Sequence, residues 1–139
     1  MEKIAQKKNT EASRLGILLI VLFGSRAEKK ARSDSDFDVA VLMEEKKSIT
    51  DFERYSAVLS FLSETLKIPS EKIDLTKING ANPLLQKEIF SKGQLLFGNE
   101  ILFEEYRAVA FREYLDASKL FETESKIITK RFQLLKQLI

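Results

Sequence analysis

Gly24-Ser25 and, beyond a gap of ten residues, Asp36 and Asp38 are the residues of this sequence whose types and spacing suit catalysis. Glycine, lacking a Cβ, lets a ligand approach the backbone closely, and the serine hydroxyl adds a donor. A helix starting near Ser25 would aim its free N–H groups at an anion such as a phosphate. The same dipeptide also makes ordinary turns, and on these two residues alone both readings stand. Asp36 and Asp38, two apart at the start of a strand, share one face while Phe37 turns to the other. Neighbouring carboxylates repel one another unless a cation lies between them, which suits one or two Mg²⁺ ions shared with substrate phosphates. The competing reading is a polar strand entry in which Ser33, Asp34 or Ser35 makes a turn. Asp34, Asp36, Asp38 and Glu45 also fall on the first, third, fifth and twelfth places of a calcium-binding loop. That loop needs glycine at its sixth place, where Val39 stands, and the following run Ala40 to Met43 is apolar and strand-like. A calcium loop is therefore excluded.

Composition narrows the chemistry further. The chain has no histidine and no cysteine. Zinc sites and most nucleophilic triads need one or the other, and disulfide or thiol chemistry needs cysteine. Carboxylates, hydroxyls, lysine, arginine and an oxygen-liking metal remain, and Mg²⁺ fits that inventory. The 23 basic and 21 acidic residues leave a net charge of only +2, so direct binding to nucleic acid is not expected. The basic pairs Lys7-Lys8, Lys46-Lys47 and Lys130-Arg131 read as solvated faces. The apolar run Ile17 to Phe23 falls far short of the roughly 20 residues that span a bilayer. With no long apolar segment at the N-terminus, no secretory signal or membrane association is expected, and a cytoplasmic protein fits best.

The elements that must position these residues follow from hydrophobic periodicity. The polar stretch Met1 to Ser13 reads as a short helix. After Gly16, the run Ile17 to Phe23 is a strand buried on both faces, ending at Gly24-Ser25. Phe37 to Met43 is a second such strand. From Thr50 to Leu66, Phe52, Tyr55, Val58, Leu59, Leu62 and Leu66 recur at helical spacing, with Thr50 or Ser48 as cap and Pro69 closing the region. Lys72 to Thr76 alternates like a third strand. Asn82-Pro83 opens a helix that Gly93 ends, and Gln94 to Phe97 is a fourth strand. Residues 99–138 lack Gly and Pro and keep a helical pattern, as one long helix or two with a bend. The expected fold is α/β (α+β): a small mixed β-sheet flanked by helices, one domain over 1–139 with a long C-terminal helix. That last helix carries apolar residues on more than one side, among them Ile127, Ile128, Phe132, Leu134, Leu135 and Leu138. They either pack on the sheet or face a partner.

Leu22-Phe23-Gly24-Ser25-Arg26-Ala27, followed by Ser35-Asp36-Phe37-Asp38-Val39, resembles the signature of the polymerase-β-type nucleotidyltransferase superfamily. It is closest to the minimal nucleotidyltransferase branch, which includes antitoxins paired with HEPN-domain ribonuclease toxins. Ile73-Asp74-Leu75, Ile78-Asn79, Asn82-Pro83-Leu84-Leu85 and Gly93-Gln94-Leu95-Leu96-Phe97 extend the resemblance over most of the chain. It implies the nucleotidyltransferase fold, with Gly24 and Ser25 holding a nucleoside triphosphate and Asp36 and Asp38 binding metal. Asp74, by itself an ordinary exposed strand residue, would be the third carboxylate, holding metal and helping to activate the acceptor hydroxyl. Arg26, just past the turn, would either stabilise phosphate charge or make a surface salt bridge. The resemblance further implies Mg²⁺, ATP as donor, and transfer of AMP to a tyrosine hydroxyl of a HEPN-family toxin in a hetero-oligomer. The chain departs from the family at Glu28-Lys29-Lys30, where a glycine is common, and at Lys77, where an acid is common. Two alternatives follow: an antitoxin that works by occlusion with a weak site, or a transferase that modifies a small molecule.

Overall fold

The computed structural model describes residues 3–4, 8–29, 35–45 and 52–138. Its first helix, α1 (Asn9–Leu15), ends where Gly16 turns left-handed at φ 82° and returns its N–H to the carbonyls of Ala12 and Ser13. Left-handed φ is cheap only for glycine, so Gly16 is a helix stop as well as a strand start. The helix expected from Met1 begins at Asn9, and residues 1–2 and 5–7 of that expectation lie outside the described residues.

Strands β1 (Ile17–Phe23), β2 (Phe37–Met43), β3 (Ile73–Lys77) and β4 (Gln94–Phe97) form one sheet in the order β3-β2-β1-β4. β1 runs antiparallel to β2 and β4, while β2 and β3 are parallel, so the sheet is mixed as expected. Apart from Leu18, every residue of β1 is buried. This follows from layering. On one face, Ile20, Leu22, Val39, Val41 and Met43 pack with Ala12 of α1 and with Val58, Phe61 and Leu62 of a helix at Phe52–Leu66. On the other, Leu19, Val21, Phe23, Ala40 and Leu42 meet Ile89 and Phe90 of a helix at Pro83–Lys92 and Phe103 and Ala110 of a last helix at Glu100–Gln137. A continuous apolar run is what a strand with two covered faces requires.

The remaining helices are α2 (Gly24–Ala27), α3 (Phe52–Leu66), α4 (Pro83–Lys92) and α5 (Glu100–Gln137). Phe52 opens α3 81% exposed and contributes nothing to the core. The caps expected at Ser48 or Thr50 lie outside the described residues. A 3₁₀ turn at Ser70–Lys72 leads into β3, which starts one residue later than the alternation suggests. α4 is capped by the Asn82 side chain, which accepts from the Leu85 N–H at 2.9 Å, with Pro83 in the first turn. Asn99 caps α5 by accepting from Ile101 and Leu102. α5 is a single helix. Its first three turns pack through Phe103, Tyr106 and Ala110, and Arg107 donates to the Phe90 carbonyl at 2.8 Å. From Leu120 onward every described residue of α5 is exposed, including Lys130 and Arg131, so packing on the sheet does not account for its later apolar residues.

Candidate active site

The site forms where the end of β1 meets the starts of β2 and β3. Sheet register does the work. Phe23 pairs with Asp38 across the antiparallel β1–β2 ladder, and Asp38 pairs with Asp74 across the parallel β2–β3 ladder. Three segments far apart in sequence thus deliver Gly24, Asp38 and Asp74 to one place. Asp38 lies on the sheet face of Ala40 and Leu42, so it looks toward α4 rather than α3.

Gly24 has φ +71°, and a Cβ built on it would overlap the Oδ2 of Asp38. The glycine is therefore required twice: for its left-handed backbone and for the carboxylate lying against it. One short helical turn, α2, starts there as expected, with Ser25 and Arg26 half-buried within it.

The carboxylates are electrostatically strained. Burial pushes the Asp38 carboxyl above its ordinary value, and the charge of Asp74, a hydrogen bond with Asp74 and the charge of Asp36 push it further. Asp36 stands exposed in the segment just before β2, close enough to add its charge but outside the cleft itself. Among the described residues, no three acidic side chains close a metal cage on their own. The donors are all oxygens, two of them in contact. This fits Mg²⁺, which takes one or two carboxylates together with substrate phosphates and fits poorly in an all-protein cage.

The cleft holds about 460 Å³ and is lined by Phe23, Gly24, Asp38, Asp74 and Thr76 on the sheet side. Facing them, α4 supplies Leu85, Lys87, Glu88, Ser91 and Lys92, and Glu28 stands at the rim. Lys92 reaches over the rim to Glu28 at 3.1 Å, and the Lys87 ammonium sits 4.6 Å from the Tyr114 ring centre on α5. The wall opposite the paired acids mixes Lys87 and Lys92 with Glu88 and Glu28, so the charge of a bound polyphosphate would be balanced by Lys87 together with a cation. Periodicity shows only that Lys87 and Ser91, four apart, share a helix face. That this face meets the carboxylates depends on where α4 docks. A second cleft of about 430 Å³, between α1 and β4, has among the described residues Lys3 as its only charged lining residue and no acid, so it offers no comparable chemistry.

Arg26 reaches the segment that precedes and opens β2. Its Nη2 donates to the Ser35 carbonyl at 2.7 Å, and its guanidinium lies 4.2 Å from the ring centre of Phe37. It thereby ties α2 to the segment that carries Asp36 and Asp38. Lys29 takes φ 58°, at the stretch where the family often has glycine. The fold keeps that left-handed turn without the residue that makes it cheap. At the far end of β2, Asn79 receives the Met43 N–H and donates to the Met43 carbonyl, at 2.9 and 2.8 Å. This double bond takes up the strand where β3 has ended.

The family model described as "Polymerase beta, Nucleotidyltransferase" matches residues 2–101. The chain is 28% identical over 122 residues to the protein adenylyltransferase MntA of Aphanizomenon flos-aquae (strain 2012/KM1/D3), covering 83% of this chain and 80% of that one. Among solved structures, a chain of a toxin–antitoxin complex with AMP-PNP superposes with a TM-score of 0.60 at 21% identity, over 91% of this chain and 97% of that one. A chain from the complex of tri-AMPylated Shewanella oneidensis HEPN toxin with its MNT antitoxin does so with a TM-score of 0.52 at 20% identity, over 92% and 98%. At these identities the structural likenesses establish the fold. The family match covers β1 to β4 and every residue of the cleft, and the chain belongs to the polymerase-beta nucleotidyltransferase family.

Proposed function

We propose that this chain is the antitoxin of a toxin–antitoxin pair, a single-domain enzyme that transfers AMP from ATP to a tyrosine hydroxyl of a HEPN-family toxin. The observation that carries the reading is the alignment of Gly24, Asp38 and Asp74 on three neighbouring strand ends, with Asp38 raised by burial and by its acidic neighbours and Lys87 of α4 opposite. The family and the MntA relative support a nucleotidyl transfer. The partner class rests on the antitoxins that the fold resembles.

In this reading Gly24 opens space for the triphosphate, Ser25 offers its hydroxyl and N–H, and Lys87 meets phosphate charge from α4. Arg26 positions the acids through Ser35 and Phe37. Asp36, Asp38 and Asp74 would hold Mg²⁺, which when bound supplies positive charge against the phosphates and lowers the pKa of the acceptor hydroxyl. Asp74, at the outer side of the pair, takes the proton of the acceptor hydroxyl. The hydroxyl oxygen bonds to the α-phosphorus, the bond from that phosphorus to the bridging oxygen breaks, and pyrophosphate leaves. Positioning and charge neutralisation supply most of the acceleration, and the protein forms no covalent intermediate.

The test is incubation of the purified protein with Mg²⁺ and α-³²P-ATP, with and without its HEPN partner, beside an Asp36→Asn/Asp38→Asn variant. Label on the partner that vanishes with the variant supports transfer. An unlabelled partner held in a tight complex favours neutralisation by occlusion.

A further inference from the structure

The face that α5 buries in the domain continues past it uncovered. Eighteen residues make five full turns of α-helix. Phe121 and Ile128 therefore emerge at the azimuth of Phe103 and Ala110, which are 5% and 1% exposed, yet are themselves 70% and 54% exposed. The apolar pairs Leu120-Phe121, Ile127-Ile128 and Leu134-Leu135 recur every seven residues, a spacing that keeps them almost in line along the helix. A contiguous exposed apolar stripe of this length marks a face for another protein surface.

Charge along the same helix says what the partner is. From Phe111 to Glu124 the helix carries Glu113, Asp116, Glu122 and Glu124 against Arg112 and Lys119. From Lys126 to Lys136 it carries Lys126, Lys130, Arg131 and Lys136 and no acid. We propose that this tail pairs antiparallel with the same tail of a second copy of the chain. Antiparallel overlap centred near Ser125 sets each acidic half against the other copy's basic half, twice, about a two-fold axis. Parallel pairing would stack four bases on four bases. The tail from Phe111 to Leu138 gives an overlap of about 42 Å. This surface is separate from the cleft, so the pairing holds whether or not the chain transfers AMP.

The absence of cysteine makes the test direct. Under an added thiol oxidant, Ser125→Cys at the centre of the overlap links two copies. Ser118→Cys does not, because its counterparts lie about 20 Å apart in an antiparallel pair. In sedimentation equilibrium the unmodified chain is dimeric, and Ile128→Asp weakens association by roughly thirtyfold or more while helicity by circular dichroism is kept. Arg131→Glu/Lys136→Glu and Glu113→Lys/Glu124→Lys are each weakened alone and pair when mixed. Three results would overturn the proposal. One is a monomer at roughly 100 µM, a hundredfold above a micromolar Kd. Another is linking at Ser118→Cys as fast as at Ser125→Cys, which means parallel pairing. The third is a monomeric chain whose Ile128→Asp variant loses only its HEPN toxin, which gives the face to that protein.

Discussion

Asp38 is held in a conflict that the fold does not relieve. Burial and two neighbouring acids raise its carboxyl above the ordinary value, so the folded chain binds that proton more tightly than the unfolded chain. The sign follows from linkage: stability from this group is fully present below the unfolded value near 3.9 and is lost as pH rises through the raised folded one. Asp38→Asn is therefore expected to melt above the parent at pH 7 and to lose that advantage toward pH 4, as thermal melts across pH would show. The same substitution should cost transfer roughly a thousandfold, since several kcal/mol of charge stabilisation is lost at tenfold per 1.4 kcal/mol. A more stable protein that has lost its activity would identify the strain as functional. A variant that is active, or less stable at pH 7, would count against this account. Gly24→Ala tests the other side of the contact. Its methyl group would enter the Asp38 carboxylate from a left-handed backbone, so it should lose transfer and about 1–3 kcal/mol of stability, read by denaturant unfolding.

Between elements, the small connections decide whether the strand ends line up. Arg26 bonds one carbonyl and stacks on one ring, and both partners lie in the segment that carries Asp36 and Asp38. Arg26→Ala should lower kcat for transfer more than it raises the KM for ATP, because it loosens the acids and leaves the triphosphate contacts in place. A change confined to KM would instead make Arg26 a nucleotide contact. This distinction marks where sequence legibility ends. β1, β2 and β4 could be read because two covered faces leave continuous apolar runs, and the places of Gly24 and Asp38 at strand ends because turn and period are local, whereas Asp36 shares that period yet stays outside the cleft. The apposition of Asp38 and Asp74 could not, since the β2–β3 register depends on packing between segments some 35 residues apart. Lys87 was invisible for the same reason: α4 gives it a face, and only tertiary docking gives that face a cleft. The contacts of Arg26 with the Ser35 carbonyl and the Phe37 ring could not be read either, because they join two segments that no local pattern brings together. Helical periodicity on α5 located an apolar stripe but carries no information about where the domain that covers it stops.

On the scale of the whole chain, two regions answer to different physics. The family match ends at residue 101, just inside α5, and the helix adds only Leu102, Phe103, Tyr106 and Ala110 to the core beyond it. Every described residue from Leu120 onward is exposed. A chain ending at Lys119 should therefore keep the sheet and the cleft. In dilute solution its loss of stability should stay under about 1 kcal/mol, a few degrees in Tm. The full chain should behave otherwise as its concentration rises, because association of the folded state raises Tm by mass action. Melting both proteins over a hundredfold range of concentration separates the two contributions. A Tm that climbs for the full chain and stays level for the shortened one assigns the tail to assembly and the domain to catalysis. If the shortened chain fails to fold even when dilute, α5 braces the domain from beyond Lys119, and the division of labour along this helix is wrong.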